Sequence, residues 1–291
     1  MGKVWELDFY SRPILNENKK KQWEVLICET PTDTQGSWDD CFRYSQFCSP
    51  TTVNSIWLRQ AIETAIKEAG ESPSKIRFFR RQMNNMIVKA CEDAGLVATP
   101  SRRTYTLNHW MNERQQDFYP SQPGYDRAAV ATTSVSYPPL NAIALPDAVR
   151  GDKSDKWAFV SLEATAFNDM NEWEIRFGEG FPLSLASVSP NTKIPGFIIF
   201  SQRALPLAAW MSGLELVSLK FQEKPRPILC LETGLSDNWI LANLTDESSV
   251  REAQGFTATK EKSQGVHFLA IQSRPDVESF SGFWLLKDES L

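Results

Sequence analysis

Apolar and polar positions alternate at the two-residue period of a strand over residues 4–10 and 23–29, so these read as a pair joined by a polar turn over 11–22 that holds Pro13 and Lys19-Lys20-Lys21. Residues 41–47 alternate as a third strand, after a Pro/Gly/Asp loop. The period then lengthens. Leu58, Ile62, Ala65, Ile66 and Ala69 recur at helical spacing, with Thr51 or Thr52 as the N-cap and Gly70 at the end. Residues 75–82, Lys-Ile-Arg-Phe-Phe-Arg-Arg-Gln, predict a fourth strand. Ile87, Ala90, Cys91 and Ala94 predict a helix capped by Asn84 or Asn85 and closed at Gly95. Leu107, Trp110 and Met111 predict another, started by Thr106. A first domain of order β-β-β-α-β-α, with a trailing helix, is therefore expected over 1–118.

Composition changes at 119. Prolines at 120, 123, 138, 139 and 146 surround a Ser/Thr/Ala-rich middle, so 119–156 reads as a linker, with a short helix near 145–152. A second domain is expected over 157–291. Its strands fall at 158–162, 173–177, 196–200, 216–221, 228–232, 239–244, 266–271 and 282–286, and its helices at 205–211 and 249–263.

Two stretches correspond. Ile76, Phe78 and Gln82 recur as Val266, Phe268 and Gln272, and Cys28-Glu29-Thr30 recurs as Leu231-Glu232-Thr233, followed by Thr51-Thr52-Val53 against Ser248-Ser249-Val250. The pattern predicts an α/β (mixed α+β) protein of two β-β-β-α-β-like domains related by internal duplication; the alternative is two amphipathic units that merely share a pattern. Between the copies, Arg77, Arg80 and Arg81 stand where the later strand has His267, Ala270 and Ile271. An unpaired guanidinium is costly to bury. Arg80 and Arg81 are therefore expected at the carboxyl end of their strand, where open α/β sheets present a ligand crevice, with pairing to acidic neighbours on a solvated edge as the alternative.

Charge sharpens this picture. The chain carries a net −5, yet residues 75–114 hold eight basic and three acidic side chains, so a basic segment sits on an acidic body. That is compatible with a specific phosphate contact and disfavours indiscriminate polyanion binding. Arg77, Arg80, Arg81, Arg102 and Arg103 are the candidate phosphate contacts, and Phe79 and Tyr105 the aromatic faces on which bases of a single strand could stack; Phe79 and Tyr105 serve equally as core residues.

Catalytic chemistry is thinly represented. The sequence contains no phosphate-binding Gly-x-x-x-x-Gly-Lys loop, no Gly-x-Gly-x-x-Gly and no Gly-x-Ser-x-Gly, and its two histidines are His109 and His267. The β-β-β-α-β order is that of metal-dependent nucleases that cut with an Asp and a Glu-x-Lys, for which Asp8 and Glu17-Asn18-Lys19 are the available residues, the triplet falling in a turn. No catalytic or metal-ligating set is assigned, and no cofactor is expected. The five cysteines, with no Cys-x-x-Cys, read as buried free thiols rather than a disulfide framework or a zinc site on Cys41 and Cys48. No apolar run reaches eighteen residues and the first residues lack a signal-peptide core, so a cytoplasmic or stromal protein without membrane insertion is expected.

Three stretches carry a resemblance. Lys3-Val-Trp-Glu-Leu-Asp-Phe-Tyr-Ser-Arg-Pro13 with Trp23-Glu-Val-Leu-Ile-Cys28, then Leu145-Pro-Asp-Ala-Val-Arg-Gly151 leading to Trp157-Ala-Phe-Val160, and finally Trp284-Leu285-Leu286 resemble the Tab-two/Atab-two-like proteins of oxygenic phototrophs. The resemblance spans nearly the whole chain, and the acidic, transit-peptide-free sequence resembles a cyanobacterial member. It implies a non-catalytic RNA-binding factor that engages A/U-rich, single-stranded leader RNA in translation and biogenesis of photosystem proteins, chiefly of photosystem I, with assembly or translation proteins as further partners. Trp284, Leu285 and Leu286 match the family's Trp-Leu-Leu signature, as a fold-closing strand or a contact. Two other readings stay open: an assembly scaffold without direct RNA contact, and a degenerate nuclease-like fold.

Overall fold

Strand β1 (Val4–Leu15) is the axis of the first half of the chain, because every other strand of its sheet is placed relative to it. The computed structural model describes residues 2–130, 141–151 and 155–289. These fall into two compact units, one of residues 2–31 and 38–130, the other of residues 32–37 and 141–289.

In the first unit, β1 pairs antiparallel with β2 (Lys21–Thr30), which pairs antiparallel with β3 (Arg43–Cys48). On its other side β1 pairs parallel with β4 (Lys75–Phe78), and β4 with β5 (Ala98–Pro100), giving the order β3-β2-β1-β4-β5. Helices α1 (Ser55–Ala69) and α2 (Asn84–Asp93) bring Leu58, Ile62 and Ile87 against Trp5, Leu7, Phe9, Val25, Ile76 and Phe78 of the sheet. Helix α3 (Tyr105–Glu113) meets the alternate side chains of β1, where the backbone N–H of Leu107 donates to Glu6 at 2.6 Å.

Several local expectations change for identifiable reasons. The expected turn over 11–22 contracts to 16–20, where the Asn16 side chain accepts from the N–H groups of Asn18 and Lys20 and Lys19 takes a φ of 56°. Strand β1 runs on through Pro13 because its pairing with β2 lapses between Ser11 and Leu15, so the missing N–H disturbs no ladder. Asn54, not Thr51 or Thr52, caps α1, accepting from Trp57 N at 2.9 Å; Gly70 ends it at φ 75°. Strand β4 stops at Phe78, opposite Pro100 at the end of β5, and residues 81–83 form a 3-10 turn that feeds α2 directly. Carbonyls of Arg80 and Arg81 in that turn accept from Met83 and Asn84, so neither Asn84 nor Asn85 is needed as a side-chain cap. At α3 the Glu6 carboxylate takes the capping role expected of Thr106.

The 119–156 segment is apportioned between the units. Tyr119 is buried in the first, and Leu145 and Val149 are in the core of the second. The Ser/Thr/Ala-rich middle lies outside the described residues. Instead of the short helix near 145–152, residues 146–150 form a turn in which the Pro146 carbonyl accepts from Val149 and Arg150.

The second unit contains β6 (Ile143–Ala144), β7 (Lys156–Glu163), β8 (Ile175–Glu179), β9 (Lys193–Phe200), α4 (Ala204–Ser212), β10 (Leu216–Gln222), β11 (Ile228–Thr233), β12 (Asp237–Asn243), α5 (Glu247–Lys262), β13 (Val266–Gln272) and β14 (Phe280–Lys287). One sheet has the order β10-β11-β12-β6, the other β7-β9-β13-β14-β8. The run β10-β11-β12-α5-β13 repeats the element order of β1-β2-β3-α1-β4. Its pairing differs: β4 lies in the sheet of its meander, whereas β13 joins β9 and β14 in the other sheet. The correspondence seen in the sequence thus extends to element order and to the antiparallel meander, and not to the pairing of the strand after the helix.

His267 explains part of that difference. It is buried on β13, where Nε2 accepts from Leu219 N on β10 at 2.9 Å and Nδ1 donates to the Gly265 carbonyl at 2.8 Å, so a neutral imidazole bridges the two sheets. Burial, reinforced by the Lys260 ammonium, lowers its pKa from 6.5 to about 3. Between those values the unfolded chain binds a proton that the folded chain refuses, so this contribution to stability is full above the unfolded value and declines as pH falls below it. From well above pH 6.5 down to pH 5 the loss is expected to reach about 2 kcal/mol, approaching about 1.4 kcal/mol per pH unit below the unfolded pKa. Urea denaturation at both pH values should show that His267→Gln escapes this part of the acid loss; equal loss in both proteins would exonerate the histidine.

Candidate nucleic-acid interface

Strand β1 is buried along most of its length, yet it alternates two chemistries. Trp5, Leu7 and Phe9 belong to the apolar core, while Glu6, Asp8 and Arg12, also buried, point to the other face. A carboxylate survives there only if it is paired and hydrogen-bonded. Glu6 accepts from Thr30 Oγ1 at 2.9 Å as well as from the start of α3. Asp8 accepts from Arg80 Nε and from Arg80 Nη2 at 3.2 Å, and forms an ion pair with Arg12 Nη2 at 2.9 Å. On β2, Glu24 accepts from Arg12 Nε at 3.1 Å, Tyr119 Oη at 2.6 Å and Arg114 Nη2. Two carboxylates and three guanidiniums thus make one continuous buried layer.

The electrostatics follow from these contacts. Burial pushes the Asp8 carboxyl up, but Arg80 and then Arg12 outweigh it and hold the group below its usual range. Burial raises the Tyr119 phenol, so it remains a hydrogen-bond donor to Glu24. The Arg80 guanidinium lies 4.0 Å from the Tyr10 ring centroid and 5.0 Å from that of Phe79, and Arg114 lies 3.9 Å from Phe118. A small cavity of about 100 Å³ opens beside Arg12, Arg80, Gln115 and Tyr119.

This layer corrects the sequence-based view of the basic segment. Arg77, Arg80 and Arg103 are at most 3% exposed, and Phe79 and Tyr105 are buried with them. Arg77 stands in register beside Glu6, and Arg103 lies 5.2 Å from the Tyr105 ring. The premise that an arginine is not buried alone holds, but Arg80 meets it with Asp8 inside the unit and not at a solvated edge. Phe79 and Tyr105, as packed, present no open face to a base. Arg81 is exposed and Arg102 half-buried. Strands β4 and β5 run parallel, with Phe78 opposite Pro100 and the Phe78 carbonyl accepting from Ser101 N at 2.9 Å, so Arg81 and Arg102 emerge from the same carboxyl edge of the sheet.

Sequence reasoning missed Arg12, Glu24, Arg114 and Tyr119. The available signal was Glu6, Asp8 and Arg12 at even positions, on one face of a strand otherwise rich in aromatic and aliphatic residues.

Asp8 is occupied by arginines, and Glu17 is exposed in the β1–β2 turn, so the two are not brought together as a metal pair. Among the described residues no group of three or more His, Cys, Asp or Glu side chains is arranged to hold a metal ion. The five cysteines are free, four of them buried, and burial pushes the Cys41 and Cys230 thiols up to about 11 and Cys91 to about 12. Among the described residues no helix is long and apolar enough to cross a membrane.

The Trp-Leu-Leu triplet lies on β14. Trp284 and Leu286 enter the core of the second unit with Phe197, Leu269 and Ile271, and Leu285 is fully buried on the alternate face.

Comparison with known proteins adds a family. Residues 4–114 match the family model described as RNA-binding protein Tab2/Atab2 N terminal, and residues 132–287 match RNA-binding protein Tab2/Atab2, C-terminal domain. A protein of Arabidopsis thaliana named "Protein TAB2 homolog, chloroplastic" is 36% identical over 294 residues, covering 98% of this chain and 75% of its own length. A Zea mays protein of the same name is 35% identical over 291 residues, covering 98% and 71%. No solved structure matches the chain.

Proposed function

Since the chain belongs to the Tab2/Atab2 family of RNA-binding proteins, we propose that it binds single-stranded, A/U-rich RNA at the carboxyl edge of β4 and β5, with Arg81 and Arg102 on phosphates. The observation that carries this is the emergence of exposed Arg81 and half-buried Arg102 just beyond neighbouring parallel strands, at the edge where open α/β sheets receive ligands. Arg77, Arg80 and Arg103, with Phe79 and Tyr105, act from below by fixing the edge. Arg80 ties the loop after Phe78 to Asp8, and the loop after Pro100 is held by the bonds from Ser101 N to the Phe78 carbonyl and from Arg103 N to Ser101 Oγ, so binding has less chain to order. The biological role that fits is promotion of translation or biogenesis of photosystem proteins, in the cytoplasm of a bacterium or the stroma in plastid relatives.

Fluorescence anisotropy of a labelled A/U-rich single strand, titrated with the full chain at several salt concentrations, tests the site. Each phosphate contact on a single strand contributes about 0.7 to the log-log salt slope. Arg81→Ala/Arg102→Ala should therefore flatten the slope by about 1.4 and weaken binding. Unchanged affinity and slope in the double variant would sink the assignment, and a stable protein partner that resists ribonuclease would favour an assembly scaffold instead.

A further inference from the structure

The segment Leu145–Gly151, one of the three stretches that carry the resemblance, belongs to the second unit. In the second unit its turn is pinned from both sides. Leu145 and Val149 are buried in the core, and Arg203 Nη1 donates to the carbonyls of Asp147, Ala148 and Arg150 at 3.1, 3.4 and 3.3 Å. Strand β6, just before the turn, covers only Trp239 and Ile240 of β12. Where that cover ends, a cavity of about 710 Å³ opens against residues 240–243 of β12.

Its lining is divided by chemistry. Apolar groups, among them Leu207 and the ring of Trp157, form one part, and the cations Arg150, Lys156 and Arg226 with the amide of Asn243 supply the polar part. Among the described lining residues there are three cations and one carboxylate, Asp155. Trp157 is half-buried, and its ring is fixed by Phe159 and Phe197, whose centroids lie 5.7 and 5.6 Å away. Arg150 pairs with Asp147, but both side chains are more than half exposed, so a phosphate can take the guanidinium at little cost. Arg226 and Asn243 also line an adjoining cavity of about 910 Å³ that continues along the start of α5, past the carboxylates Asp246 and Glu247, to Arg251. An apolar surface with an aromatic ring and a cationic rim has the form required to seat a base and hold its flanking phosphates, while the carboxylates Asp246 and Glu247 turn the strand away from the start of α5.

We propose that this groove is a second RNA contact, in which a nucleotide of the single strand places its base against Trp157 and its phosphates on Arg150, Lys156 and Arg226. The inference rests on the RNA-binding reading of the chain but not on the β4–β5 edge. Its floor holds a base by stacking and apolar contact, so it accepts A or U without reading either by a paired edge.

The test uses the full chain and a labelled twelve-nucleotide A/U strand containing 4-thiouridine. Ultraviolet cross-linking followed by peptide mapping should place the cross-link in the peptide that contains Trp157. Lys156→Ala/Arg226→Ala should flatten the anisotropy salt slope by about 1.4, two contacts at about 0.7 each. Loss in this variant with unchanged Arg81→Ala/Arg102→Ala would support the groove and remove the first unit's edge. The reverse pattern, with the cross-link confined to residues of the first unit, would overturn the groove and leave the edge standing. No binding by wild-type protein at low salt would overturn both. A mononucleotide, AMP or UMP, that abolishes the Trp157 cross-link at micromolar concentration while the strand stays bound would assign the cavity to a free nucleotide, and the strand proposal would fall.

Discussion

Asp8→Ala is expected to destabilise the first unit by about 3–5 kcal/mol, since it leaves two buried guanidiniums facing an emptied position. Asp8 accepts from Arg80, pairs ionically with Arg12 and is buried between them. Arg12 keeps Glu24, but Arg80 then retains only the faces of Tyr10 and Phe79 as described neighbours for its charge. The penalty is that of an orphaned charge and not the worth of the pair, so the double variant Asp8→Leu/Arg80→Met should recover most of the loss. Equilibrium urea denaturation followed by tryptophan fluorescence measures both. A loss below about 1 kcal/mol in the single variant would mean that water reaches the layer and that Arg80 is available to a ligand after all. The pH dependence has the same origin: with its folded pKa depressed, Asp8 stabilises fully above the unfolded value of 3.8 and loses the contribution as pH falls through the folded one. One practical consequence concerns binding experiments. An Arg80→Ala variant would lose affinity through misfolding, so Arg81 and Arg102 are the positions at which phosphate contact can be measured cleanly.

How far the sequence could be read depends on where each signal lay. Elements built from a single face, such as α1 with Leu58, Ile62 and Ala65 inward, were visible in the residues because period and burial agree. Strand ends were less visible. The run Lys75–Gln82 looks uniform as a sequence, yet its pairing stops where β5 ends at Pro100, a constraint set by a neighbour that only the fold supplies. The same limit applies to the basic segment. Its excess positive charge is read from one stretch of chain, while the carboxylates that neutralise it, Asp8 and Glu24, come from β1 and β2. Local charge predicted surface; tertiary pairing turned part of it inward. The groove in the second unit was the converse case. Arg226 is remote in sequence from Arg150 and Trp157 and shares no period with them, so nothing short of the fold brings the three together.

Trp284→Ala should cost the second unit about 3–5 kcal/mol, the range for truncating a buried tryptophan, and should leave RNA affinity unchanged wherever the variant remains folded. The ring is 4% exposed and packs with Leu286, Leu269 and Ile271 under α4. Its seat is made by a glycine: a Cβ at Gly282 would lie 2.5 Å from the ring and 3.0 Å from the Ala208 side chain. Gly282→Ala is therefore expected to destabilise as well, by about 1–3 kcal/mol through overpacking. Two substitutions, one opening the cavity and one closing the seat, should thus shift the same denaturation transition in the same direction. A contact role predicts another outcome. Were Trp284 to meet RNA, its truncation would lower affinity in anisotropy at a temperature where circular dichroism shows native protein, and Gly282→Ala would stay neutral in binding. The core reading expects the denaturation midpoint to move and the binding isotherm, corrected for the folded fraction, to stay where it was.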